Sequence, residues 1–171
     1  SNFKLIEGDI LNEKLVASLF AENDFDVVVH LAAKAGVRPS IIDPESYFDV
    51  NVRGTLNLLK HLKSTTQTRF VMASSSSVYG DNDKPPFAES AETSLAVSPY
   101  AASKKACEVL THAFSHLHGI PTTMLRFFTV YGPKQRPEMA MAKFINLVDA
   151  GKTVPMFGDG QSARDYTYID D

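Results

Sequence analysis

Two stretches hold residues whose types and spacing could do chemistry. One is Ser98-Pro99-Tyr100-Ala101-Ala102-Ser103-Lys104; the other is the serine run Ser74-Ser75-Ser76-Ser77. Ser98 suits an N-cap and Pro99 the first helical position, so Tyr100 and Lys104 should stand one turn apart at the start of a helix. An ammonium beside a phenol favours the phenolate, which makes the pair a candidate general base. Tyrosine and lysine four apart are common, and this spacing alone is not specific.

The elements that must position these residues follow from periodicity. The Tyr100 helix should run to Gly119, with Ala106, Leu110, Ala113 and Leu117 as its core-facing stripe and Tyr100 and Lys104 flanking it. Upstream, residues 3–8 predict a short strand ending at Asp9-Ile10, and 12–20 a helix. Residues 25–33 form a nearly unbroken apolar run, the pattern of a parallel strand buried on both faces. A helix over 44–63 and a strand over 69–73 follow, the latter delivering the serine run; residues 81–96 have loop composition. A strand over 122–130, a helix over 137–150 closed by Gly151, and a strand over 153–157 complete the chain.

Alternating strands and helices predict a doubly wound parallel α/β sheet, in which ligands bind beyond the carboxyl ends of the strands. Leu31-Ala32-Ala33-Lys34, Ser74 to Ser77, and Thr129 each lie at the carboxyl end of a different predicted strand. The expectation is that they face one crevice, beside the start of the Tyr100 helix.

Composition narrows the partners. The 171 residues carry a formal net charge of −3 and no Lys/Arg-rich patch, so nothing favours nucleic acid or an anionic membrane. No apolar stretch has the length of a membrane span, and the start has no signal-peptide pattern. The single Cys107 cannot form an internal disulfide, which fits a reducing, cytoplasmic setting, and is expected to pack in the core. His112, His116 and His118 lie near one another on the long helix without the cysteine or carboxylate spacing of a metal site, so no metal is expected.

Several motifs together resemble the extended short-chain dehydrogenase/reductases, and within them the nucleotide-sugar 4-epimerases. These are Gly8-Asp9-Ile10, His30-Leu31-Ala32-Ala33, Asn51-Val52-Arg53-Gly54-Thr55, the serine run ending in Val78-Tyr79-Gly80, and Tyr100 with Lys104. Arg126 to Pro133 with Arg136 to Ala140, and Met156 to Gly160 with Ser162 to Asp171, look most like UDP-glucuronate 4-epimerases. The resemblance implies bound NAD, with Asp9 and Ile10 at the adenine, Leu31, Ala32, Ala33 and Lys34 along the cofactor, and Lys104 at the nicotinamide ribose. It implies Tyr100 as the base and Ser75 as its hydrogen-bonding partner on the sugar 4-hydroxyl, with hydride leaving C4 and returning to the other face. Arg164 would meet the UDP diphosphate, and Thr129 and Arg136 the sugar carboxylate. Arg38 is a further candidate on the substrate side. By the same resemblance the protein is a homodimer, residues 1–132 belong to an NAD-binding Rossmann-type domain and residues 133–171 begin the nucleotide-sugar-binding region.

Oxidising a glucuronate at C4 gives a β-keto acid that loses CO₂ easily. Related decarboxylases tend to place a glutamate just before the Val-Tyr-Gly, and 4,6-dehydratases an Asp-Glu pair. Ser76 and Ser77 occupy those positions here and would meet substrate, which favours epimerisation. A decarboxylase or dehydratase, a net oxidoreductase, and a non-catalytic binding protein on a partial fold stay open as alternatives. The resemblance also leads to an expectation that the chain lacks the family's first two strands, with their glycine-rich turn, and its carboxyl-terminal part. These 171 residues alone would then bind NAD weakly or not at all and be inactive, with either the first strand pairing with a new neighbour or exposed edges driving association between chains.

Overall fold

The computed structural model describes residues 2–62, 68–82, 86–156, 158–159 and 165–171. The chain divides into two compact units, Ser1–Arg126 and Phe127–Asp171. The first contains α1 (Glu13–Glu22), β1 (Val27–His30), α2 (Val37–Ile42), α3 (Pro44–Tyr47), a π-helical segment (Phe48–Arg53) and α4 (Gly54–Leu62). These are followed by β2 (Arg69–Ala73), a 3₁₀ turn (Ser76–Tyr79), α5 (Pro99–His118) and β3 (Thr122–Leu125). Its sheet is parallel in the order β1-β2-β3, with Val28 opposite Phe70 and Met72 opposite Met124.

One face of this sheet makes the core. Phe70 and Met72 of β2 meet Leu59 and Leu62 of α4, Cys107 of α5, and Ile120, all buried. Cys107 therefore packs, as the sequence suggests. Strand alternation sends Val27 and Val29 to the opposite face, where they are 45% and 59% exposed. The expectation of a strand buried on both faces is thus corrected: the apolar run is covered on one side only among the described residues.

Three further expectations change. Residues 3–8 are irregular and pair with no strand among the described residues, and Phe3 and Leu5 stand exposed. The single strand over 122–130 is two: β3 ends at Leu125 and β4 (Thr129–Tyr131) belongs to a different sheet. Residues 153–156 are irregular, and Phe157 lies outside the described residues, as does Lys63 at the end of the predicted 44–63 helix.

α5 has the expected ends. The Ser98 hydroxyl accepts the Ala101 N–H at 3.1 Å, Pro99 opens the helix, and Gly119 closes it in the left-handed region at φ 66°. Its buried face differs from the predicted stripe: Lys104, Cys107, Glu108 and Thr111 point inward, while Leu117 is 70% exposed. Polar residues occupy this face because each finds a partner there, as described below.

The second unit pairs β4 in parallel with β5 (Tyr166–Tyr168), with Thr129 opposite Tyr166 and Tyr131 opposite Tyr168. Helix α6 (Ala140–Asp149) follows β4, three residues later than the sequence suggests at its start, and Gly151 at φ 64° ends it.

Candidate active site

Tyr100 is held at the head of α5 from two sides. Its N–H donates to the buried Ser40 hydroxyl at 3.0 Å, which in turn donates to the Val37 carbonyl at 2.6 Å. The Tyr47 ring stands edge-on to it, with centroids 6.1 Å apart, and is itself anchored by a 3.0 Å hydrogen bond from its hydroxyl to the Ala35 carbonyl. Tyr100 is half-buried and Lys104, one turn on, is buried. The Lys104 ammonium donates to the Ala73 carbonyl, the last of β2, at 2.8 Å. Burial lowers its pKa from the ordinary lysine value, opposed by the neighbouring Cys107.

The serine run begins where β2 ends. The Ser74 N–H donates to the Leu125 carbonyl at 2.8 Å, extending the β2–β3 ladder by one residue. Ser75 then turns the chain: its hydroxyl accepts the Ser77 N–H at 3.2 Å and lies 2.8 Å from the Ser77 hydroxyl, capping the 3₁₀ turn. Ser76 and Ser77 are half-buried in that turn, which ends at Gly80 with φ 62°.

Asn51 joins the β1 loop to the Tyr100 helix. Its amide accepts the Lys34 N–H at 2.7 Å and donates to the Lys34 carbonyl at 3.1 Å and the Ser103 hydroxyl at 2.9 Å. Ser103 donates to the Tyr100 carbonyl at 2.8 Å. The π-helical segment carries Asn51 into this buried position. The Lys34 ammonium is held by Asp43, at 3.2 Å, and by Ser46, over the Tyr47 ring. Hydrogen bonds from Ser46 and then Lys34 hold the exposed Asp43 carboxyl below its ordinary pKa. Leu31 and Ala32 are exposed beyond β1 and Ala33 is half-buried.

Asp9 accepts the Leu11 N–H at 2.8 Å, and the Ile10 carbonyl accepts from the Asn57 amide at 3.0 Å. The Ile10 side chain lies where a Cβ on Gly54 would collide. Arg38 is exposed on α2. The structure thus brings together Ser75, Tyr100, Lys104 and the Leu31–Lys34 loop at the carboxyl ends of β1 and β2. Thr129, half-buried in β4, and exposed Arg136, 3.5 Å from Glu138, belong to the second unit, and Arg164 lies outside the described residues.

Sequence reasoning missed several polar residues around the site. Glu108 is buried and accepts from Ser74 at 2.6 Å and from the Arg126 Nε and Nη2 at 2.9 and 3.0 Å. Burial raises its pKa, but hydrogen bonds from Arg126 and Ser74 and the charges of Arg126 and Lys105 more than offset this, leaving it below the ordinary value. The same pairing raises the pKa of Arg126. His30 is buried against Phe70, with Nε2 2.9 Å from the Thr55 hydroxyl. Ser40, Asn51, Glu108 and His30 share one signal, a polar side chain inside an otherwise core-facing pattern, which requires a partner.

A parallel Rossmann-type sheet with a tyrosine and a buried lysine one turn apart at its strand ends defines the short-chain dehydrogenase/reductase class. Within it, the NAD dependent epimerase/dehydratase family model matches residues 1–171, and the chain belongs to that family. It is 44% identical over 170 residues to UDP-glucuronate 4-epimerase of Thermodesulfobacterium geofontis, aligning 99% of this chain with 52% of that protein. It is 47% identical over 171 residues to UDP-glucuronate 4-epimerase 1 of Arabidopsis thaliana, covering 98% of this chain and 40% of the relative. The structure is similar to that of UDP-glucuronic acid 4-epimerase from Bacillus cereus, solved with UDP-glucuronic acid and NAD. That match has a TM-score of 0.90 and 40% identity, over 99% of this chain and 53% of the other. The chain spans about half the length of the curated relatives it matches.

Proposed function

We propose that the protein is an NAD-dependent nucleotide-sugar 4-epimerase that interconverts UDP-glucuronate and UDP-galacturonate. The observation that carries this reading is the seating of Tyr100 and Lys104 on one face of α5, with the lysine clamped to the end of β2 beside Ser75. The names of its relatives support the substrate.

The residues fit a dinucleotide. Asn57 Oδ1, beside Ile10, is a buried acceptor with no partner among the described residues, suited to an amino donor. Past β1, the small side chains of Ala32, Ala33, Ala35 and Gly36 leave room for a ligand to approach the main chain. Asp9 and Ile10 would hold the adenine, Leu31 to Lys34 the middle of the cofactor, and Lys104 the nicotinamide ribose. The chemistry that NAD supplies when bound is hydride acceptance from, and return to, C4 of the sugar.

Tyr100 takes the proton of the 4-hydroxyl and returns it, and Ser75 orients that oxygen by a hydrogen bond. Lys104, one turn on from Tyr100 and held by the Ala73 carbonyl, presents its ammonium on the same side of α5. Thr129 and Arg136 hold the sugar carboxylate against decarboxylation, Arg164 holds the diphosphate, and Arg38 assists on the substrate side. Ser76 and Ser77 contact the sugar and provide no carboxylic acid for elimination. In this reading residues 1–132 serve the cofactor and 133–171 the substrate, in a cytoplasmic homodimer; the free, buried Cys107 thiol fits a reducing compartment.

The test is to incubate the full-length protein with UDP-glucuronate and no added cofactor, following sugars and CO₂ by NMR. UDP-galacturonate without CO₂ is expected, and Tyr100→Phe should lower kcat by about 10²- to 10⁴-fold. UDP-xylose with CO₂, or unchanged substrate, would overturn the reading.

A further inference from the structure

Glu108 lies outside the group of residues that would touch cofactor or sugar, yet it is 4% exposed and its carboxylate is engaged on every side. Tyr100, Lys104 and Glu108 follow one another at single-turn spacing along α5. Lys104 grips the Ala73 carbonyl, and Glu108 accepts from the hydroxyl of Ser74, the next residue. Two successive turns of the helix are therefore fastened to two successive residues of the chain leaving β2. Ser75 comes immediately after.

The far end of the serine turn is held by the same carboxylate through Arg126. The guanidinium, hydrogen-bonded twice to Glu108, lies over the ring of Tyr79 at 5.0 Å from its centroid and donates from Nη1 to the Glu89 carbonyl at 3.0 Å. Tyr79 closes the turn that Ser75 opens. Glu108 thus reaches the residue before Ser75 directly and the end of the turn through one intermediary.

Stability alone is a weak account of this arrangement. Desolvating a buried ion pair offsets much of its attraction, and apolar side chains of similar volume often do as well. They could not accept from Ser74 or direct the guanidinium over Tyr79. What the charged pair adds is geometry.

We propose that Glu108 is a positioning residue for the reaction, setting through Ser74 and Arg126 where Ser75 and the Ser76–Tyr79 turn stand relative to Tyr100. This rests on the roles given to Ser75 and Tyr100 under the proposed function. A displacement of about 1 Å at a reacting geometry can cost up to a hundredfold in rate, so the leverage of such a residue is large.

The experiment compares the full-length protein with Glu108→Gln, Ser74→Ala and the double variant. Each single change should lower kcat by about tenfold to a hundredfold, with KM for UDP-glucuronate within about threefold of the parent. The double variant should lose no more than Glu108→Gln alone, because the Ser74 hydroxyl acts only through Glu108. Amide hydrogen exchange at residues 76–80 should quicken in both single variants, while that of Phe70 and Met72 in the core stays unchanged. Unchanged kcat per folded molecule, additive losses, or exchange raised throughout the chain would overturn the proposal. Should Glu108→Gln not fold, Ser74→Ala, which removes one oxygen, carries both readouts. If the parent does not convert UDP-glucuronate, the epimerase reading fails and exchange decides the matter separately. Quickening confined to residues 76–80 then upholds the positioning role, and its absence overturns it.

Discussion

Acidification should destabilise the fold through His30. The Thr55 hydroxyl donates to the Asn51 carbonyl, so towards His30 it accepts, and Nε2 carries the ring proton. A second proton on Nδ1 would place a cation in the core, where burial and then the Lys104 charge hold the pKa at about 4 against 6.5. In the unfolded chain the ring protonates below its ordinary value; in the folded chain it stays neutral until about pH 4. The unfolded state therefore binds more protons in between, and stability falls as pH drops through that window, with no further loss from this group below it. The gap corresponds to about 3 kcal/mol in full, of which about 2 kcal/mol is lost by pH 5. Urea unfolding of the parent and of His30→Gln, which keeps a side-chain partner for Thr55 without a titrating ring, isolates the effect. The stability difference between the two should shift by about 2 kcal/mol between pH 7 and pH 5, against the parent. A difference constant across that range would refute the reasoning, whatever its size at pH 7.

Two more changes test how the site is held. Gly80→Ala meets both a positive φ and the Leu95 main-chain carbonyl where its Cβ would go, so it should lower stability by about 1–3 kcal/mol in thermal unfolding. Asn51→Ala leaves the Lys34 N–H and carbonyl and the Ser103 hydroxyl without their partner, and should cost about 1–3 kcal/mol in urea unfolding.

What the sequence made legible was local. Ser98, Pro99 and Gly119 mark the ends of α5 because caps act on their own helix, and residues 69–73 read as a strand because β2 keeps Phe70 and Met72 inward. The short α2 was not legible: Pro39 sits inside it, and its purpose, offering Ser40 to Tyr100, is set 60 residues away. Residues 3–8 have a strand's alternation yet join no sheet among the described residues, and pairing is a tertiary property that a single segment cannot reveal. The buried face of α5 was misread for a related reason. Lys104 and Glu108 count as polar in any periodicity, and only Ala73, Ser74 and Arg126, brought in by tertiary structure, make their burial tolerable.

That face of α5 also explains how so small a set of side chains can be held rigidly. Serines have little bulk to pack, so the position of Ser75 to Ser77 must be fixed by hydrogen bonds and by the chain on either side. Along α5 the inward positions serve two ends: Lys104 and Glu108 bind the end of β2, while Cys107 packs in the core and Thr111 lies 3.7 Å from the Met72 sulfur there. The polar half aligns helix and strand end through directional bonds, and the apolar half gives the burial that anchors both. Loosening either half should reach the serine turn, but by different routes. Core truncation lowers stability with the local geometry kept in the molecules that remain folded; loss of the Glu108 link alters the geometry itself. A falling kcat in protein that stays folded is therefore the signature of the polar half alone.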